Sequence, residues 1–182
     1  MFFGVFPPPE IQSEAHLATA SLRRRGDGVA WVRAENLHLT MRFLGECSDE
    51  QARRAGEAAR EATAGSPAFP AALGAAGAFP DPRRARVLWL GMAVGEPEVT
   101  VLATALEEAL ERHAFPREGR RFAAHLTLGR LRSGEADWRG KLAAVRVEPT
   151  PWRVSELRLV RSVPSPSGSR YETALAVPLP SG

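Results

Sequence analysis

The sequence is almost without lysine, cysteine and tyrosine: Lys141, Cys47 and Tyr171 each stand alone in 182 residues. A single cysteine excludes an internal disulfide, and such sparing use fits a reducing compartment, so a cytoplasmic protein is expected. No apolar run approaches the roughly 18–20 residues that a membrane span needs, so no membrane partner is predicted. Residues 1–6 lack a basic segment and meet Pro7, Pro8 and Pro9 too early for a signal peptide. No His-x-x-x-His spacing occurs, and two strand histidines without clustered carboxylates fall short of a usual ligand count, so neither a metal nor a cofactor is expected. No stretch is long enough to be a linker, which predicts one domain, residues 1–182, made of two lobes.

The formal charge is +3 and the pI about 9.9, carried almost wholly by arginine. Guanidinium forks bind phosphate oxygens in pairs, which is compatible with an RNA or phosphate partner. High Ala, Arg, Gly and Pro with little Lys is equally what GC-rich coding would give, so net charge decides little. Hydrophobic and charged fractions of 44% and 25% are those of an ordinary globular chain.

Residues 1–6 read as a short buried strand ended by prolines, and 9–25 as a helix with Ile11, Ala15, Ala18 and Leu22 at helical spacing and arginines at its end. Residues 29–33 are a short strand. Ser48 with Gln51 forms a capping box opening a helix to about Ala64, with a small inner stripe at Ala52, Ala55, Ala59 and Ala62. Strands are expected near 71–79 and 87–90. A helix follows over 98–113, where Leu102, Leu106 and Leu110 lie on one face and His113 is a cap. His16 reads as a solvent-side or packing residue. A short helix at 138–145, a strand at 152–161, a turn at 165–169 and a strand at 171–179 complete the chain. The elements alternate without a βαβ rhythm, which predicts an α+β fold of mostly antiparallel sheets flanked by helices.

Two segments repeat a pattern. Leu37-His38-Leu39-Thr40-Met41-Arg42-Phe43 is echoed by His125-Leu126-Thr127-Leu128-Gly129. Strand side chains alternate, so His38, Thr40 and Arg42 share one face and Leu39, Met41 and Phe43 the other. The same rule separates His125 and Thr127 from Leu126 and Leu128. A lone His-x-Thr is an ordinary amphipathic strand. A matched pair facing one cleft supplies two proton carriers and two hydroxyls, which is suited to acid–base chemistry on a phosphate. The two hydroxyls, a strand step of about 6.6–6.8 Å from their histidines, are expected to donate to non-bridging oxygens. Phe43 and Trp31 read first as core residues.

With the lead-in Trp31-Val32-Arg33-Ala34-Glu35-Asn36, the run Phe43-Leu44-Gly45-Glu46 and the ending Ser167-Gly168-Ser169-Arg170-Tyr171, the chain resembles the 2H phosphoesterase superfamily. Within that superfamily it is similar to the RNA 2′,3′-cyclic phosphodiesterases, also called 2′–5′ RNA ligases. Ala34 and Ala124 depart from a pattern that often has proline, which affects strand entry rather than chemistry. The resemblance implies a bilobal fold of two pseudo-symmetric lobes around a central cleft, one motif in each. It implies metal-independent opening of a 2′,3′-cyclic phosphate at an RNA 3′ end to a 2′-phosphate, with weak reverse 2′–5′ ligation; separately, a monomer is expected. His38, His125, Thr40 and Thr127 would be catalytic, with His125 the base and His38 the acid, a polarity the residues themselves do not distinguish. Arg130, placed just after the second motif, would bind substrate. Arg42 by its parity, and Phe43 by base stacking, are further binding candidates. A small cyclic nucleotide or an ADP-ribose 1″,2″-cyclic phosphate as substrate, and a catalytically silent RNA- or phosphate-binding module, remain alternatives.

Overall fold

A computed structural model describes residues 1–24, 26–165 and 168–181. In chain order its elements are β1 (Phe2–Val5), α1 (Pro9–Ala18), β2 (Val29–Trp31), β3 (Leu39–Phe43), α2 (Asp49–Ala64), β4 (Phe69–Phe79), β5 (Val87–Val94), α3 (Glu96–Arg112), β6 (Leu126–Leu131), α4 (Arg139–Ala143), β7 (Trp152–Val154), β8 (Glu156–Ser165) and β9 (Gly168–Pro178).

The strands form one sheet in the order β7-β4-β5-β6-β3-β1-β8-β9, with β2 added to β6. Every pairing given among the described residues is antiparallel. The fold is therefore the mixed α+β class expected, a curled antiparallel sheet with four helices among the described residues. Its two halves, β9-β8-β1-β3 and β6-β5-β4-β7, meet at β3 and β6, the strands that carry the repeat. Their seam is a single register pair, Leu39 opposite Leu126.

Helices and strands form where local chemistry favours them. The α2 capping box is complete: Ser48 Oγ accepts from Gln51 N and Gln51 Oε1 from Ser48 N. Ala55, Ala58, Ala59 and Ala62 are buried, which allows close packing; Ala52 is only half-buried. Leu102, Leu106 and Leu110 of α3 are fully buried, each stabilising the fold by roughly 1.5–3 kcal/mol. His113 closes α3 as expected and approaches Glu61 at 3.2 Å.

Two expected elements differ. The helix expected over 9–25 stops at Ala18, and its C-cap Thr19 donates both its N–H (3.2 Å) and its hydroxyl (2.7 Å) to the Ala15 carbonyl. A 3₁₀ turn over Ala20–Leu22 follows, and Arg23 reaches back to the His16 carbonyl at 2.8 Å, capping the helix from outside it. Arg25 lies outside the described residues. The strand expected at 152–161 is two strands: β7 pairs with β4, and from Glu156 the chain pairs with β9 and then β1, so it changes halves at Ser155. Of the turn expected at 165–169, residues 166 and 167 lie outside the described residues.

Candidate active site

Leu39 and Leu126 are paired across the seam and fully buried. Cross-strand partners point to the same face, so their sequence neighbours His38, Thr40, His125 and Thr127 all emerge on the other face. The structure thus brings the four residues of the two motifs together at the middle of the sheet. Thr40, His125 and Thr127 line a cleft of about 710 Å³, and Arg130 stands on its wall.

Both rings are held by the same device. His38 Nδ1 lies 2.7 Å from the Asn36 carbonyl oxygen, and His125 Nδ1 lies 2.7 Å from that of Ala123. A carbonyl only accepts, so Nδ1 carries the proton in both rings and Nε2 is the nitrogen left for chemistry. The Thr40 hydroxyl is 3.0 Å from His38 Nε2. It is therefore bonded to its own histidine rather than standing a strand step away; when the ring is neutral the hydroxyl donates to Nε2, and when the ring is protonated Nε2 donates to it. Among the described residues, no corresponding bond joins Thr127 to His125.

The surroundings of the two rings differ. His38 stacks on Phe2 (4.8 Å between centroids, 29°) and on Phe6 (5.0 Å, 19°), and Tyr171 meets it edge-on at 5.3 Å. Gly4 permits this closeness, since a Cβ there would lie 3.1 Å from Phe6 Cε2 and 3.3 Å from His38 Cδ2. Burial first, with a smaller push from charge on His125, drives His38 down to about 4 against the pull of the Asn36 carbonyl. His125 is also lowered, by burial first and then by the Arg130 guanidinium. It meets Phe79 edge-on at 4.9 Å and Trp89 at 6.4 Å. The mutual repulsion means that the two rings resist holding a proton each, as an acid paired with a base requires.

The binding candidates are placed unevenly. Arg130 is exposed on the cleft and has no ion pair among the described residues. Arg42 reaches the wall, but its guanidinium is committed: Nε to Glu107 Oε2 at 2.7 Å, Nη2 to the Pro116 carbonyl at 2.5 Å, and Nη1 to the Phe43 carbonyl. Phe43, read first as core, is 55% exposed and lines the cleft. It is the last residue of β3, where the strand ends and no layer covers its ring. Trp31 is half-buried and donates Nε1–H to Asp27 at 2.8 Å.

Sequence reasoning passed over the aromatic enclosure and its brace. The buried Asn36 side chain donates to the Ser169 carbonyl at 2.8 Å, while its own carbonyl holds His38. One residue thereby fixes the ring and anchors the start of β9, which delivers Tyr171. The available signal was that Asn36 and the lone tyrosine both lie in the runs that carried the resemblance. Among the described residues, no three His, Cys, Asp or Glu side chains are grouped to hold a metal ion, and no helix is long and apolar enough to cross a membrane.

Known proteins share this arrangement. Residues 5–89 and 92–171 match the family described as LigT like Phosphoesterase. A curated RNA 2′,3′-cyclic phosphodiesterase of Methanothermobacter thermautotrophicus is 36% identical over 79% of this chain and 78% of its own length. One of Thermotoga maritima is 28% identical over 94% and 90%. Among solved structures, Escherichia coli LigT complexed with 3′-AMP superposes with a TM-score of 0.78 at 29% identity, covering 98% of this chain and 96% of the other. A Thermus thermophilus protein gives 0.80 at 27% identity over 99% and 97%. With both histidine motifs inside the matched span and the sheet shared from end to end, the chain belongs to the LigT-like phosphoesterases of the 2H superfamily.

Proposed function

We propose that this protein hydrolyses 2′,3′-cyclic phosphate ends of RNA to 2′-phosphates, as a cyclic phosphodiesterase working through two histidines. The observation that carries the reading is the pair of Nε2 atoms presented from one face on either side of the sheet seam, each fixed in that tautomer by a backbone carbonyl. The same activity appears in the names of the relatives. A single chain supplies every residue of the site, which supports action as a monomer of two lobes, one motif in each. Sparing cysteine supports a cytoplasmic setting.

In this reading a water attacks phosphorus in line with O3′. His125 Nε2, which no described residue occupies, takes the water proton. The P–O3′ bond breaks, and His38 Nε2–H gives its proton to O3′, leaving a 2′-phosphate and a 3′-hydroxyl. The bound phosphate anion lies beside both rings and offsets the burial that keeps His38 neutral in the free protein. Thr40 and Thr127 donate to the non-bridging oxygens as charge builds, the Thr40 hydroxyl proton being free to do so once Nε2 is protonated, and Arg130 balances the phosphate charge. The reverse reaction, with a 5′-hydroxyl in place of water, would form a 2′–5′ bond.

Phosphorus NMR of an RNA oligonucleotide ending in a 2′,3′-cyclic phosphate, with protein in EDTA, tests the reading. The expected product is the 2′-phosphate alone, lost with His38→Ala and with His125→Ala. A 3′-phosphate product, or no turnover by folded wild-type protein, would overturn it. Turnover of an ADP-ribose cyclic phosphate or a small cyclic nucleotide instead would keep the chemistry and change the substrate.

A further inference from the structure

We propose that the arginine-bearing segment 117–121 is a second phosphate subsite, which takes a phosphodiester of the RNA strand leading to the cyclic end. The inference rests on the hydrolase reading for its substrate, but its binding test does not depend on turnover.

Arg117, Arg120 and Arg121 line the same cleft as His125. Arg121 precedes His125 by four residues, so the chain between their Cα atoms spans no more than about 14 Å. Five arginines face three carboxylates on the cleft lining, Arg42 and Arg130 being the others and Glu107, Glu108 and Glu118 the acids. Two of those acids are already engaged. Glu107 accepts from Arg42 Nε through one oxygen and from Glu118 N at 2.6 Å through the other. Glu118 accepts from Arg120 N at 3.3 Å and lies 4.0 Å from Arg42. Arg117 pairs with Glu111 at 3.2 Å, whereas the side chains of Arg120 and Arg121 have no carboxylate partner among the described residues.

This assigns Arg42 a different task from the one its parity predicts. It neutralises Glu107 and holds the Pro116 carbonyl, so the segment beyond is tethered to α3 and β3 with its two unpaired guanidinium groups at the cleft. The exposed ring of Phe43 lies on the same lining. A basic track beside an aromatic face is the arrangement that holds single-stranded nucleic acid, phosphates on the cations and a base on the ring. A mononucleotide has no second phosphodiester to reach this segment, so the subsite favours an RNA strand over a small cyclic nucleotide.

The test compares kcat/KM for a tetranucleotide ending in a 2′,3′-cyclic phosphate with that for a 2′,3′-cyclic mononucleotide, in wild type, R120A/R121A and R120K/R121K. The preference for the tetranucleotide is expected to fall about tenfold in the alanine variant and to survive largely in the lysine variant. Fluorescence anisotropy with an oligonucleotide ending in a 2′-phosphate reads the subsite without turnover. The slope of log affinity against log salt should flatten by about 0.7 on losing the one phosphodiester held there. Equal loss on both cyclic substrates, an unchanged salt slope, or a penalty confined to ADP-ribose 1″,2″-cyclic phosphate would overturn the subsite. Failure of wild-type protein to open any cyclic end, with the anisotropy difference intact, would overturn the hydrolase reading alone.

Discussion

His38 and His125 stand on neighbouring strands, each followed by Leu and Thr and each giving its Nδ1 proton to a backbone carbonyl 2.7 Å away. One packs against Phe2 and Phe6, is touched by Tyr171, bonded to Thr40 and braced through Asn36. The other sits on the cleft wall beside Phe79, with no described residue bonded to its Nε2, its own threonine included. The repeated sequence sets the tautomer, because that needs only a strand and the carbonyl two residues earlier. Access, proton affinity and mobility come from what other strands lay against each ring. Symmetric motifs thus acquire unlike surroundings from asymmetric neighbours.

The sharpest way to break the comparison is to remove each ring in turn. His38→Ala and His125→Ala should each lower kcat by about 10²–10⁴-fold. Their residual pH–rate profiles should differ, the acidic limb vanishing without His125 and the basic limb without His38. Loss of the same limb in both variants would show that the rings are not an acid and a base. Smaller effects should follow from the brace. Asn36→Ala is expected to lower kcat about tenfold with little change in KM, and to lose part of its effect when combined with Tyr171→Phe, since both act through His38. Full additivity would uncouple them. Thr40→Val should move the His38 titration followed by proton NMR, whereas Thr127→Val should leave the His125 titration in place.

Stability should report the same difference. Both histidines are lowered in the folded state, so between about pH 6.5 and pH 4 the unfolded chain binds more protons than the folded one. Stability is whole above that window and falls as pH falls through it, by up to about 3 kcal/mol for His38. Urea midpoints measured across the window should flatten more in His38→Gln than in His125→Gln. Equal flattening would place the two rings in equivalent surroundings.

Much of this was legible in the chain. The period of two in both motifs placed His38, Thr40, His125 and Thr127 on one face, and the capping box and leucine spacing located α2 and α3. What sequence could not supply was which distant strand would lie beside which ring. Phe2 and Phe6 precede His38 by more than thirty residues and Tyr171 follows it by more than a hundred, so no local period connects them. Arg42 shows the same limit: parity aimed it at the cleft, and an ion pair with Glu107 on α3 turned it to structural use. Phe43 was misread because alternation gives a side chain's face but not whether anything covers that face at the strand's end.

The pairing of β1 with β8, Phe3 opposite Leu159, has a consequence for synthesis. A chain made from its beginning produces β1 and His38 early, yet the hairpin of β8 and β9 that completes their half of the sheet is produced after all the other strands. Until then Ser169 is missing from Asn36 and Tyr171 from the imidazole, and β1 has an open edge. Contacts so far apart in sequence form slowly, so the enclosure of His38 closes only after β8 and β9 have been made. The last strands made are the ones that finish the surroundings of the first histidine.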